Sequence, residues 1–361
     1  MKNNYVYRLV FLLLLVPAIC FATDTEKDKY EKSKTLKKEY TVNKDALLKI
    51  NNRYGNIDVV SWDKNQVVIE VKITVSGNDE SQVIERLKII DVEFQGSRSE
   101  VSAETIIEKK SSNWSWSWGK KRNVHYKINY TVKVPLTNNV KLANDYGNIF
   151  LNELKGDADI NCDYGKISIG DLHSTNNSIN IDYCGSSTIG KMNGGSINAD
   201  YSKLTVEEAG DIRLNADYTT TVFEKINDLN YNCDYGSLQV SDGRSVIGTG
   251  DYLTTKLGAI SKKVDITADY GSIRIDDLKA GFDSVTINGD YCGVKIGTPD
   301  APFNFILKLS YGSFKRGDVG YEFIKQVVKS QSKYYEGYYK SQNSKSIIKV
   351  DSDYGSVTFY E

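Results

Sequence analysis

Hydrophobic and polar residues alternate with a period of two along most of the chain, and the alternation restarts after each copy of a tyrosine motif that is Asp-Tyr in most copies. Around Tyr164 the apolar or small residues fall at every second position on each side: Ala158, Ile160, Cys162, Ile167 and Ile169. Residues around Tyr218 and Tyr270 follow the same spacing. Because this period is typical of strands with one buried face, the pattern predicts a strand on each side of the tyrosine and a corner between them.

The motif is an internal repeat. Outlying copies lie at Tyr54 and Tyr354, and ten copies between them recur every 17 to 21 residues: Tyr146, Tyr164, Tyr183, Tyr201, Tyr218, Tyr235, Tyr252, Tyr270, Tyr291 and Tyr311. One such unit cannot bury its own apolar side, whereas stacked units share a continuous core. The sequence therefore predicts an all-β fold, a single-stranded β-helix or β-solenoid with Asp-Tyr-Gly repeats of about 18 residues. At a strand spacing of ~4.8 Å, ten rungs would form a rod on the order of 50 Å long.

Glycine follows the tyrosine in many of the copies. Glycine adopts a positive φ at little cost, so we expect the glycine to take the left-handed conformation at the corner. The chain has only 4 prolines, which agrees with central strands whose N–H groups must all donate.

Two stretches interrupt the repeat and divide the chain. Asn78-Asp79 predicts the start of a helix near 79–90, with Val83, Leu87 and Ile90 on one face. The predicted divisions are a signal peptide (1–22), a charged linker (23–39), an N-terminal cap with the first solenoid strands (40–145), the solenoid repeats (146–316), a Tyr- and Lys-rich insertion that decorates or covers the far end (317–345), and a terminal solenoid strand (346–361).

The first residues have the pattern of an export signal. Lys2 and Arg8 precede an apolar run, Leu9–Phe21, that is too short to span a bilayer. Small residues at −3 and −1 favour cleavage after Ala22, which predicts a protein of the periplasm, the cell surface or the medium. The alternative is a lipidated Cys20, although the residue before it is bulky where a lipobox has a small one. No later segment approaches the apolar length of a membrane-spanning helix.

Composition argues against several function classes. Lys and Arg number 46 and Asp and Glu 47, so the chain lacks the basic excess of a nucleic-acid-binding protein. With 2 histidines and no Gly-x-Ser-x-Gly, phosphate-loop or His-Glu-x-x-His motif, His-based catalysis and zinc binding are disfavoured. We therefore predict a non-enzymatic protein without a cofactor. The enzyme alternative is a polysaccharide lyase or hydrolase, but Asp residues that recur on every rung indicate architecture.

Several segments together resemble a known family. They are the unit Ile50–Ile57, the helix near 79–90, the strand Tyr130–Pro135 and the Gly-x-Ile-x-Val units that follow it. Over about residues 40–361 the chain resembles the bacterial putative-adhesin β-strand-repeat family. The resemblance implies a right-handed, single-stranded β-helix at the cell envelope, and it implies no catalytic residues.

Two rows of polar residues accompany the tyrosines. The aspartates are Asp145, Asp163, Asp182, Asp200, Asp217, Asp234, Asp251, Asp269 and Asp290. They are either Ca²⁺ ligands or acceptors for corner N–H groups, and the absence of a Gly-Gly-x-Gly-x-Asp repeat favours the second interpretation. The side-chain amides of the asparagines are predicted to hydrogen-bond to one another along the stack: Asn161, Asn180, Asn198, Asn215 and Asn232.

The tyrosines themselves allow two interpretations. If the inward-outward alternation of the buried positions continues through the tyrosines, they are predicted to form a stacked structural ladder at the corner. If the inward-outward alternation reverses one residue early, they form an outward-facing aromatic stripe instead.

Four cysteines remain after the predicted cleavage. Cys162 and Cys233 share one row but lie four rungs apart, and Cys184 and Cys292 share another row six rungs apart. Cys162 and Cys184 lie on adjacent rungs but in different rows, and a disulfide needs Cα atoms within about 7 Å. We therefore predict four buried free thiols that act as small apolar residues.

Aromatic residues in the two interruptions are the candidate binding residues. Trp114, Trp116 and Trp118 alternate with serines between basic residues. They form either an exposed platform for a sugar, a headgroup or a protein, or a hairpin that covers the solenoid end. A second candidate set is Tyr334, Tyr335, Tyr338 and Tyr339. The predicted function is an adhesin-like surface that binds a glycan, envelope material or an envelope protein. The alternative is a structural or signalling envelope component that acts through a protein partner.

Overall fold

In the described parts of the chain, hydrogen bonds join the strands of the computed structural model into one sheet of 26 strands. The structure describes residues 28–108 and 124–360. Within these residues the fold is all-β, with one helix.

The N-terminal elements build a cap. Their bounds are β1 (Tyr30–Thr41), β2 (Leu47–Arg53), β3 (Ile57–Trp62), β4 (Gln66–Gly77), α1 (Glu80–Ile89), β5 (Ile90–Gly96), β6 (Glu100–Ile107) and β7 (Val124–Pro135). Strand β4 pairs antiparallel with both β1 and β7. The predicted helix is confirmed, because Asp79 caps α1 by accepting the N–H of Gln82 and the side chain of Val83 is buried.

Strand β1 corrects the predicted linker. Residues 23–39 were expected to be a charged linker, but Tyr30–Thr41 pairs with β4 along its whole length. Lys32, Lys37 and Lys38 are exposed, while Tyr30 and Leu36 pack against the core. Lysines on an edge strand hinder pairing with other chains. The charged residues that were interpreted as a linker therefore lie on an edge strand and protect it.

The next strands form the repetitive part of the molecule. Their bounds are β8 (Asn139–Asp145), β9 (Asn148–Leu154), β10 (Ala158–Asp163), β11 (Lys166–Leu172), β12 (Asn177–Asp182), β13 (Ser186–Asp200), β14 (Lys203–Asp217), β15 (Thr220–Asp234), β16 (Gly236–Asp251) and β17 (Leu253–Asp269). Equivalent residues of successive repeats pair in parallel, so that Ile160 of β10 lies between Leu142 of β8 and Ile179 of β12. Side chains of one row therefore recur at the strand spacing of ~4.8 Å.

The C-terminal strands do not stack in chain order. Their bounds are β18 (Ser272–Leu278), β19 (Ser284–Asp290), β20 (Gly293–Gly297), β21 (Phe303–Ser310), β22 (Ser313–Lys315), β23 (Tyr321–Val328), β24 (Ser332–Tyr339), β25 (Ile347–Asp353) and β26 (Ser356–Tyr360). Strand β25 lies between β19 and β21, and β26 lies between β20 and β22. Residues 346–361, predicted as the terminal solenoid strand, thus supply the last rung but one. The 317–345 insertion forms the antiparallel β23–β24 hairpin beside β21.

The core consists of the inward rows that the period of two predicted. All of the apolar positions assigned around Tyr164 are buried: Ala158, Ile160, Cys162, Ile167, Ile169 and Leu172. The equivalent residues around Tyr270 are buried as well. Each rung therefore shares one continuous apolar interior with its neighbours, which is the main source of stability in stacked repeats.

The four described cysteines are buried free thiols, as predicted: Cys162, Cys184, Cys233 and Cys292. Burial raises the pKa of Cys233 to about 12, which keeps this thiol protonated and unreactive. We expect iodoacetamide to leave all four unmodified in the native protein and to modify all four in denaturant without a reductant. Mass spectrometry of the tryptic peptides checks this, and cysteine peptides that need a reductant before they react would contradict it.

Candidate functional site: the tyrosine ladder

The repeated tyrosines form one continuous stack, which we call the tyrosine ladder. In spatial order its members are Tyr54, Tyr146, Tyr164, Tyr183, Tyr201, Tyr218, Tyr235, Tyr252, Tyr270, Tyr291, Tyr354 and Tyr311. Ring centroids of neighbours are 4.7 Å apart at the closest pair and 5.3 Å at the widest, with interplanar angles no larger than 9°. The ladder is therefore roughly 50 Å long at the ~4.8 Å strand spacing.

The tyrosine, and not the glycine, takes the left-handed conformation at each corner. All twelve ladder tyrosines have positive φ, from 48° at Tyr183 to 62° at Tyr54, a region that costs an L-residue roughly 1–2 kcal/mol. Glycine follows seven of the twelve tyrosines and is needed there for a different reason. A Cβ on Gly165 would lie 1.9 Å from the carbonyl oxygen of Gly147 on the preceding rung. The expectation that glycine supplies the positive φ was wrong.

Backbone hydrogen bonds hold the tyrosines in this conformation. The N–H of Tyr201 donates to the carbonyl oxygen of Asp217 on the next rung over 3.0 Å, and Tyr218 donates likewise to Asp234. The sheet hydrogen bonding therefore continues across the corner. The two strands on either side of each corner, together with ring stacking worth about 0.5–1.5 kcal/mol per pair, offset the backbone strain.

The ladder is both stacked, as the first interpretation predicted, and exposed, as the second did. Each interior ring is about half exposed, for example 50% at Tyr201 and 51% at Tyr218. The faces of these rings are covered by their neighbours, so the surface offers ring edges and hydroxyl groups. At one end Tyr126 packs edge-on against Tyr54 with centroids 5.0 Å apart, and the guanidinium of Arg86 lies over Tyr126.

The aspartates that precede the tyrosines line one side of the ladder. The carboxylates of Asp200, Asp217 and Asp234 each accept the backbone N–H of the Asp on the next rung, as the second interpretation of this row predicted. Asp145 forms an ion pair with Arg53. The other aspartates of the row form no ion pair with a described residue. No group of three or more His, Cys, Asp or Glu that could hold a metal ion is found in the described parts of the chain.

The asparagine row lies two residues before the aspartate row, at the next outward-facing position of each strand. Asn180 donates to Asn161 over 2.7 Å, Asn198 to Asn180 over 2.7 Å, and Asn215 to Asn198 over 2.9 Å. The predicted amide ladder is confirmed from Asn161 to Asn215, whereas Asn232 accepts the hydroxyl of Thr249. Parallel rows of amides, carboxylates and phenols thus share the period of the rungs.

The close spacing of the phenols alters their ionisation. Partial burial raises the pKa of Tyr201, Tyr235 and Tyr291, and the charge of an ionised neighbouring phenol would raise it further. Burial also raises the pKa of Asp163, helped by the carboxylates of Asp145 and Asp182. At neutral pH the ladder is therefore a row of protonated hydroxyl groups beside a row of carboxylates.

The aromatic residues chosen from the interruptions are placed differently. Trp114, Trp116 and Trp118 lie outside the described residues. Tyr335 and Tyr339 are buried, with Tyr335 against Phe314 and Tyr339 against Phe303. Because β24 covers the open end of the sheet, these two rings close the core and are not free for a ligand.

The remaining two tyrosines of that set are half-buried on the outer face of β24. The hydroxyl of Tyr334 donates to Glu336 over 2.8 Å and the ammonium of Lys325 lies over its ring. Tyr338 is half-buried too. The ladder tyrosines were not among the candidate binding residues. Their repetition marked them in the sequence, but a residue type that recurs at every corner was interpreted mainly as architecture.

Comparisons with known proteins give similarity without a functional assignment. No family model matches the chain, and no curated protein matches it. Solved structures similar to it include a putative cell adhesion protein from Clostridium sporogenes (12% identity, 91% of this chain and 99% of that chain, TM-score 0.18). They also include a putative adhesin from Bacteroides fragilis (10% identity, 91% and 97%, TM-score 0.24) and a putative lipid binding protein from Parabacteroides distasonis (11% identity, 91% and 97%, TM-score 0.26).

A putative adhesin and a putative cell adhesion protein are thus among the solved structures similar to this chain. Separately, none of the helices in the described residues is long and apolar enough to cross a membrane.

Proposed function

We propose that the protein is a non-enzymatic, adhesin-like β-solenoid of the right-handed type, exported to the cell envelope, and that the tyrosine ladder is its binding surface. The observation that carries the proposal is the exposure of twelve stacked tyrosines along one continuous strip. A protein rarely leaves so many large aromatic side chains in contact with water without a partner, and tyrosine is enriched where a surface binds a ligand.

The form of the strip indicates the form of the ligand. Ten of the twelve rungs offer the same small set of contacts, one phenol and one carboxylate, and each contact alone is weak. An extended ligand that engages many rungs at once gains affinity from their number. Envelope polymers and glycans have this extended form, and so does a fibrous envelope protein in a structural or signalling complex.

The experiment is capture of envelope fractions, polysaccharides and whole cells by the protein without residues 1–22. The test variant carries Tyr201→Asn, Tyr218→Asn and Tyr235→Asn, because asparagine tolerates the left-handed conformation that these corners need. We expect this variant to keep its far-UV circular dichroism spectrum and to lose most of the capture.

Two control variants locate the site. Trp114→Ala, Trp116→Ala and Trp118→Ala together test the tryptophan segment, and Tyr334→Asn with Tyr338→Asn tests the outer face of β24. If the ladder variant captures as much as the unmodified protein while the tryptophan variant captures nothing, the ladder is not the binding surface.

A further inference from the structure

Resting on the function proposed above, we propose that the ladder binds a linear, uncharged, hydroxyl-rich glycan that lies along the stack. The first observation concerns the phenol groups. From Tyr146 to the end of the ladder, none of the eleven tyrosine hydroxyls hydrogen-bonds to another residue within 28–108 or 124–360. They form a row of free donors and acceptors about 5 Å apart, set by the strand spacing.

The covered ring faces decide how a sugar is held. A sugar that stacks on an aromatic residue needs an open ring face, and inside the ladder each face is occupied by the next ring at about 5 Å. The available groups are the phenol hydroxyls, with the carboxylates beside them as strong hydrogen-bond acceptors. The ligand is therefore one that hydrogen-bonds through hydroxyl groups at each step.

The period distinguishes a glycan from a peptide. An extended peptide presents side chains on one face only every ~6.8 Å, twice the rise of a strand residue, and falls out of register with the phenols after a few rungs. Each unit of an extended β-1,4-linked glycan advances by a length close to the rung spacing, and alternate units face opposite ways. A glycan chain parallel to the ladder therefore offers a hydroxyl edge at each rung and repeats the same contact on every second rung.

The charge of the strip sets the charge of the glycan. Apart from Asp145, the aspartates beside the ladder have no ion-pair partner among the described residues. A polymer that carries a carboxylate or sulfate on each unit would be repelled along its whole length. An uncharged polymer meets no such repulsion, and its hydroxyl groups donate to the same carboxylates.

The test is calorimetric titration of the protein without residues 1–22 with cello-oligosaccharides, from the disaccharide to the octasaccharide, and with polygalacturonate. The variant replaces five ladder tyrosines by phenylalanine, which removes the hydroxyls and keeps the stacked rings: Tyr183→Phe, Tyr201→Phe, Tyr218→Phe, Tyr235→Phe and Tyr252→Phe. We expect affinity to rise at least about tenfold with ligand length, the variant to lose about tenfold or more, and polygalacturonate not to bind.

Affinity that is independent of length, equal binding by the phenylalanine variant, or preference for polygalacturonate would each overturn the glycan assignment. The capture experiment keeps this failure separate from failure of the proposed function. If the asparagine variant loses capture of envelope material but no neutral oligosaccharide binds, the ladder remains the binding surface and the ligand class is wrong. If neither capture nor oligosaccharide binding depends on the ladder, both proposals fail.

Discussion

Gly195→Ala is expected to lower the free energy of unfolding by about 3 kcal/mol, the upper end for forcing a methyl group into a packed interior. Gly195 has φ of 131° inside the continuous strand β13. A Cβ there would lie 2.1 Å from the carbonyl oxygen of Asn177 and 2.8 Å from its nitrogen. Both contacts are to backbone of the adjacent rung, so relief requires one rung to move relative to the other and breaks the parallel pairing of Asn177 with Gly195.

Gly293→Ala is the matched control. Gly293 also lies in a strand of the stack, but no atom approaches the position of its Cβ within 4 Å, and it pairs with Ser272, which already carries a side chain. We expect this substitution to change stability by no more than about 0.5 kcal/mol. Urea unfolding followed by circular dichroism compares the two variants. Equal unfolding midpoints would show that the rungs are not packed as closely as the structure describes.

Alkaline pH is expected to destabilise the protein through the ladder. Partial burial and neighbouring phenols raise the pKa of Tyr201, Tyr235 and Tyr291 in the folded state above the ordinary value of 10.0. The folded protein therefore holds these protons more tightly than the unfolded chain does. Stability is at its full value below the unfolded tyrosine pKa and falls as the pH rises through the folded values.

The measurement is the urea midpoint at about pH 8 and at about pH 11, on either side of the ordinary tyrosine pKa. The variant with Tyr201→Phe, Tyr235→Phe and Tyr291→Phe keeps the rings and lacks three titrating groups. We expect the unmodified protein to lose much of its stability at the higher pH and the variant to lose less. An equal loss in both proteins would mean that the alkaline instability does not originate in these phenols.

Much of the fold follows from local chemistry that the sequence displays. The inward rows, such as Ile160 with Ile179, follow from a period that only strands produce. The start of α1 follows from Asp79, a residue whose short carboxylate suits a helix N-cap. The separation of the cysteines within each row, four and six rungs, argued against a disulfide between row partners.

Other features depend on information that a linear pattern lacks. The position of β25 between β19 and β21 is set by pairing in space, whereas the period of the sequence fixes only the length of each rung. The burial of Tyr335 and Tyr339 depends on the β23–β24 hairpin folding over the end of the core. The positive φ of the ladder tyrosines was missed because glycine is the usual residue there, and a corner stabilised on both sides overrides that preference.

The central claim is that ligand binding occurs along the tyrosine ladder. The measurement that tests it most directly is chemical footprinting, in which tyrosines are nitrated and tryptophans oxidised with and without captured envelope material, and each residue is quantified by mass spectrometry. We expect protection of a contiguous run of ladder tyrosines that includes Tyr201, Tyr218 and Tyr235, with Tyr334 and Tyr338 unchanged. Protection confined to Trp114, Trp116 and Trp118, or to the outer face of β24, would contradict it.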